Sequence, residues 1–335
     1  MSNASTRRRF LAGAGAASVG AAVAATPGAA SAHGNRPPFP SWGRVRLLHF
    51  TDAHVTPNAA RSETETLRAL QLGLRYRPDL IVQGGDAIYD ALVQDRASVE
   101  AQWAIHRRVY ERVGVPVAHV IGNHDCWTGP GSAGDPLSGK AWAHRELGLE
   151  RGWYARRLGA WKLIVLDSIE LTGGSGYVGR LGAEQTAWLE QELAQTPAST
   201  HVVIASHIPL QTALPFTDAG LRRADGGFDV PGGWGVHSDL PEINELLLSH
   251  RNVRLALSGH NHVRDDITYN TVRFACGGAV SGNWWDASDP GYRDTPPGFA
   301  IVDLHRDGSS EIGYWSYREV GEREVSADGP ATGGR

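Results

Sequence analysis

An α/β domain is what this sequence predicts, on three observations. Runs of branched apolar residues recur at Val45 to Phe50, Leu80 to Gln83, Val115 to Ile121, Val202 to Ala205 and Val253 to Leu257, as strands covered on both faces require. Segments with apolar residues at helical spacing alternate with these runs. Toward the C-terminus the alternation gives way to strands paired around tight turns.

The elements follow in order. Glu63 to Tyr76 carries Leu67, Leu70 and Leu74 on one helical face, and Pro78-Asp79 ends that helix before the next strand. Val93 to Val113 repeats the pattern with Val99, Trp103 and Val109 and stops at Gly114. Trp153 to Arg157 and Lys162 to Asp167 predict two short antiparallel strands. Gly182 to Leu193 and Pro241 to Leu248 predict two further helices, the latter with proline in its first turn. His262 to Tyr269 and Val272 to Cys276 flank Asn270-Thr271 as a hairpin, and Phe299 to Leu304 and Glu311 to Tyr317 do the same around Asp307-Gly308. Gly174 to Gly179 fits G-x-G-x-x-G, but no second parallel strand and acidic residue complete a dinucleotide unit, so it reads as a connecting loop. Gly321 to Arg335 has no periodicity and reads as a disordered tail.

Composition bounds the function. With 335 residues, 41% of them hydrophobic, and a net charge of -4, the chain can bury one large core or two modest ones and has no basic surplus for nucleic acid or an anionic membrane. Thr6-Arg7-Arg8-Arg9-Phe10-Leu11, a mildly apolar Ala/Gly/Val stretch and Ala30-Ser31-Ala32 read as a twin-arginine export signal over residues 1–32, cleaved to leave His33 first. The export machinery is then a partner, the destination is extracellular or in the periplasm or cell envelope, and no stable membrane anchor is expected. Residues 33–43 form a linker to a domain spanning 44–320. Cys126 and Cys276 are compatible with one disulfide or with two buried free thiols.

Each apolar run ends in a short polar segment: Asp52-Ala53-His54, Gly85-Asp86, Gly122-Asn123-His124-Asp125, Ser206-His207 and Gly259-His260-Asn261-His262. Carboxyl ends of strands are where open α/β sheets build sites. Oxygen donors from Asp52, Asp86 and Asn123, with imidazoles from His54, His207, His260 and His262, suit borderline transition ions better than a calcium cage. Seven donors exceed one tetrahedral ion, so two ions sharing a carboxylate are the economical reading. Two ions about 3.5–4 Å apart hold the attacking and leaving oxygens of an in-line displacement and lower the pKa of water to about 7, which makes a phosphoryl group the natural substrate. The nine histidines outside these segments lack this setting; His119 and His201 fall inside apolar strands and read as satisfied core groups.

The order and spacing of these segments resemble the calcineurin-like metallophosphoesterase superfamily. That resemblance implies a four-layer αββα sandwich of two mixed β-sheets flanked by helices. It also implies that Asp52, His54 and His262 hold one metal, that Asn123, His207 and His260 hold the other, and that Asp86 bridges both. His124 would stabilise or protonate the leaving oxygen, with Asp125 holding it by a hydrogen bond. Iron, zinc, manganese and cobalt all fit the donors. Tyr89, three residues after Asp86, resembles the iron-ligating tyrosine of purple acid phosphatases, but those lack a counterpart of His54, so Tyr89 is expected in the pocket wall. Trp127 and Trp284 are candidate substrate contacts, and Trp284-Trp285 could equally cap a sheet edge. The expectation is an exported enzyme in which a metal-bridging hydroxide hydrolyses a small phosphodiester. A phosphomonoesterase is the alternative, and a metal-dependent binding protein or scaffold is the non-enzymatic one.

Overall fold

The computed structural model describes residues 43–230, 232–288 and 291–319; the segments expected as export signal and tail, and nearly all of the expected linker, lie outside them. In chain order the elements are β1 (Val45–Phe50), α1 (Ser62–Arg75), β2 (Leu80–Gln83), α2 (Arg96–Tyr110), β3 (Val117–His119), α3 (Ala141–Leu147), β4 (Tyr154–Leu158) and β5 (Trp161–Val165). They continue with β6 (Ile169–Gly173), β7 (Gly176–Gly179), α4 (Gly182–Ala194), β8 (His201–Ala205), the single turn α5 (Leu214–Thr217) and α6 (Leu240–Ser249). The chain closes with β9 (Val253–Ser258), β10 (Asp265–Tyr269), β11 (Val272–Cys276), β12 (Gly298–Leu304) and β13 (Ser310–Ser316).

Two mixed sheets result. The first has the order β13-β12-β1-β2-β3 and the second β10-β11-β9-β8-β5-β4. In each, parallel central strands carry antiparallel strands at one edge or both. Alternation along each strand divides the apolar side chains between faces. Leu47, Val82 and Val120 of the first sheet meet Leu163, Val165, Val203 and Leu257 of the second in one buried layer. The opposite faces bury Leu48, Phe50 and Ile81 with Ala69 and Leu70 of α1 and Val99 and Trp103 of α2, and Ile164 and Ile204 with Leu189 of α4 and Ile243 of α6. That is the αββα sandwich, and burial on both faces is why these strands read as unbroken apolar runs. At the end of β1 remote from the polar segments, Arg46 donates two 2.7 Å bonds to Asp303, its cross-strand partner, and a third to the Tyr76 carbonyl. A buried guanidinium satisfied this way pins the β1–β12 register, since a slip would strand its charge.

Several expectations are corrected. The strand expected over Val115 to Ile121 contracts to β3, although Val120 N still donates to Gln83 O at 2.8 Å. Gly174 to Gly179 is not a connecting loop: it supplies the turn and second strand of the β6–β7 hairpin, where Gly173 and Gly174 take φ of 104° and 54°. Helix α3 interrupts a stretch with no periodic signal. His119 and His201 are satisfied but half-buried, facing Gln83 Oε1 at 3.4 Å and Arg306 O at 3.1 Å. Both cysteines are buried free thiols, Cys126 donating to Gly122 O and Cys276 to Gly259 O, so of the two readings the disulfide falls. Among the described residues no helix is long and apolar enough to cross a membrane.

Candidate metal centre

The polar segments converge at one rim of the sandwich. Asp52 and His54 follow β1, Asp86 follows β2, and Asn123 opens a 3-10 turn just after β3; His207 follows β8, and His260 and His262 follow β9. Both sheets therefore contribute. Five of the seven side chains sit on left-handed backbone, with φ of 55° at Asp52, 44° at His54, 49° at Asp86, 69° at His260 and 55° at His262. Each such residue costs on the order of 1–2 kcal/mol, a strain that persists only where surroundings overdetermine it. Here the loops hold one another: Asp52 N donates to Gly85 O at 3.1 Å, His54 N to Asp86 O at 3.0 Å, and Gly259 N to His207 O at 3.0 Å. The approach is close enough to need glycine, since a Cβ on Gly122 would lie 2.1 Å from Asp86 Oδ1.

The donors form two groups, Asp52, His54 and His262 in one and Asp86, His207 and His260 in the other. His54 Nε2 lies 3.0 Å from His262 Nε2, and His262 Nε2 lies 3.4 Å from Asp52 Oδ1. In the second group His207 Nε2 lies 3.2 Å from both His260 Nδ1 and Asn123 Oδ1. Asp86 Oδ2 stands between the groups, 3.1 Å from His207 Nε2 and 3.6 Å from His54 Nε2. Donors bound about 2.0–2.2 Å from one tetrahedral ion sit roughly 3.3–3.6 Å from each other, so these spacings fit two ions sharing Asp86.

Tautomers agree. The outward nitrogen of each histidine meets a backbone carbonyl: His54 Nδ1 faces Tyr89 O at 3.3 Å, His207 Nδ1 faces Gly84 O at 2.8 Å, His262 Nδ1 faces Gly282 O at 2.7 Å, and His260 Nε2 faces Trp234 O. A carbonyl only accepts, so the proton lies outward and the inward nitrogen keeps its lone pair for a cation. Burial pushes His54 and His260 down to about 3, which keeps them neutral. Burial opposes charge on Asp52 and Asp86 too, but the imidazoles beside them, His262 at Asp52 and His207 at Asp86, hold both carboxylates below their usual range. Burial likewise opposes charge on His207, yet Asp86 beside it raises it to about 9, so the metal-free site places a proton where a cation would neutralise the carboxylates.

His124 faces this centre, its ring edge-on to His54 at 5.1 Å and its backbone N donating to Asp86 Oδ1 at 2.9 Å. Asp125 does not hold it. That carboxylate is buried and accepts from Ala87 N at 2.9 Å, Ile88 N at 3.2 Å and Gly122 N at 2.9 Å, tying two site loops together. The carboxylate beside His124 is Asp90, with Oδ1 3.4 Å from Nδ1. Its sequence signal was an acidic residue in the loop that carries Asp86. Against burial, Asp86 and Asp90 raise the His124 pKa.

The aromatic candidates separate. Tyr89 meets His54 with its carbonyl, its ring 6.3 Å away and edge-on. Trp284 stacks on His262 with centroids 4.1 Å apart and planes at 27°. Trp285 is buried and donates to His54 O at 2.9 Å, so it supports the first loop. Trp127 is not at the centre: it is fully buried, donates to Gln94 O at 3.1 Å and packs edge-on against Trp142. Two aromatics that sequence reasoning missed stand here instead, Tyr177 edge-on to His260 at 6.0 Å and Tyr292 edge-on to His262 at 5.8 Å.

Comparison with known proteins agrees with this geometry. A probable cyclic nucleotide phosphodiesterase from Synechococcus is 29% identical over 233 residues, covering 65% of this chain and 73% of the relative. Another from Psychrobacter arcticus is 24% identical over 247 residues, covering 66% and 74%. Among solved structures, a dimetal phosphatase from Danio rerio shares the fold at a TM-score of 0.55 and 17% identity, covering 82% of this chain and 99% of that one. Residues 45–264 match the calcineurin-like phosphoesterase family, whose members are hydrolases of phosphate esters dependent on a binuclear metal centre. The chain belongs to the calcineurin-like phosphoesterase family.

Proposed function

We propose that this enzyme is a phosphodiesterase of small molecules. The observation that carries the reading is Asp86 Oδ2 standing between two donor groups, within 3.1 Å of His207 Nε2 and 3.6 Å of His54 Nε2. The names of the Synechococcus and Psychrobacter relatives, both probable cyclic nucleotide phosphodiesterases, support a diester over a monoester. Asp52, His54 and His262 would hold one ion, Asn123, His207 and His260 the other, and Asp86 both, with iron, zinc, manganese or cobalt suited to the donors. When bound, such ions supply Lewis acidity at phosphoryl oxygens and acidify water. The chain supplies the rest. Asp86 and Asp52 remain ionised, Asn123 offers a neutral oxygen, and His124, with Nδ1 toward Asp90, has its other nitrogen left to give a proton to the departing oxygen.

We propose further that residues 1–32 direct twin-arginine export, so that the enzyme works outside the cytoplasm with its ions loaded before transit. Turnover of bis-nitrophenyl phosphate against nitrophenyl phosphate, on protein of known metal content, tests the assignment. A diester preference is expected, together with loss of activity under chelation and in Asp86→Ala. A preference for the monoester would select the phosphomonoesterase reading, and undiminished turnover after metal stripping would overturn both.

A further inference from the structure

Tyr177 stands at the centre with no role assigned above. It lies on β7, opposite Leu171 of β6, and that pair packs on the core. The hairpin is braced from outside: Gly179 N donates to Gly233 O at 2.5 Å, and Gly179 O accepts from Ser238 N at 2.8 Å. The neighbouring Trp234 supplies the carbonyl that orients His260. The Tyr177 ring meets the ring of His260 at 6.0 Å with planes at 89°, so one braced unit fixes both the ligand and the phenol beside it.

The phenol end is the informative part. Among the described residues the Tyr177 hydroxyl has no hydrogen-bond partner, yet it is not among the fully enclosed unpartnered polar atoms, so it reaches open space. A tyrosine hydroxyl is an O–H donor near neutral pH. A fixed O–H donor beside a space where an anion must sit is the arrangement that stabilises charge on a reacting group.

We infer that the Tyr177 hydroxyl donates a hydrogen bond to a non-bridging phosphoryl oxygen of the ester, on the Asn123–His207–His260 side of the centre. The inference rests on the phosphoesterase reading and adds to it a residue that binds the phosphoryl group itself. The alternative is that Tyr177 is only a ring buttressing His260.

Tyr177→Phe separates the two, because it keeps the ring and removes the hydroxyl. Metal content by elemental analysis, kcat and KM on bis-nitrophenyl phosphate, and calorimetric binding of inorganic phosphate to the metal-loaded protein are compared with wild type. Metal content is expected to stay the same, while kcat/KM and phosphate affinity each fall about ten- to a hundredfold, the loss of one hydrogen bond to a charged group. Unchanged phosphate affinity in Tyr177→Phe, with Tyr177→Ala losing metal, would overturn the inference and leave the buttress. Wild-type protein inactive on every ester would sink the phosphoesterase reading instead, and the phosphate titration would still decide the role of Tyr177.

Discussion

Asp90 Oδ1 stands 3.4 Å from His124 Nδ1, while the adjacent Asp125 carboxylate turns away into three backbone N–H groups. Asp90 therefore favours the protonated imidazole, and removing its charge lowers the His124 pKa. Asp90→Asn should reduce kcat about tenfold, as loss of an orienting carboxylate does. The alkaline limb of its pH–rate profile should move to lower pH, because a proton donor with a lower pKa is lost sooner as pH rises. A limb that stays in place would show that the pair is not coupled.

Asp125 has a different task. Replacing it with Ala leaves buried N–H groups of Ala87, Ile88 and Gly122 without acceptors, each costing about 1–3 kcal/mol. Asp125→Ala should unfold at several kcal/mol less free energy and lose metal, measured by denaturant titration and elemental analysis. Intact stability with reduced turnover would restore the direct role once expected of it.

The two tryptophans should respond in opposite ways. Trp284 is half-buried against His262, so Trp284→Ala should raise KM for aryl or nucleotide esters several-fold at little cost in stability. Trp127→Ala should cost about 3–5 kcal/mol, as loss of a fully buried indole does, with KM unaffected in whatever remains folded. Steady-state kinetics and urea unfolding on both variants distinguish them.

Acid should destabilise the fold through histidines outside the centre. Burial lowers His106 to about 3 and His49 to about 4 from an ordinary 6.5. Above 6.5 both states are neutral and nothing is lost. Below it the unfolded chain takes up protons that the folded chain refuses, so stability falls with pH until the folded values are reached. Each histidine contributes about 1.4 kcal/mol per pH unit in that window. His106→Gln should flatten the fall in urea midpoint between pH 6.5 and 5; an unchanged slope would count against burial as its cause.

The seven donors could be read from sequence because each follows a buried strand, and a strand end has one direction in space. Trp127 was misread because the 3-10 turn Asn123–Asp125 reverses the chain: a residue four places after Asn123 already pairs with Gly139 in the core. Adjacency in sequence carries no direction once a turn intervenes. Tyr177 and Tyr292 were missed for the converse reason, since long-range contacts bring them to the site and no local pattern records those. Asp90 was visible as a residue, but the choice between it and Asp125 depends on which backbone donors each meets.

The left-handed ligands set a limit on improvement by selection. At Asp52, His54, Asp86, His260 and His262 the backbone would relax in favour of Gly or Asn, so the most accessible gains in thermal stability lie in the residues that would bind the ions. A library screened for heat tolerance alone would drift toward a robust sandwich with an empty rim. A screen that retains metal binding at every round would have to find its stability in the helices and far strands.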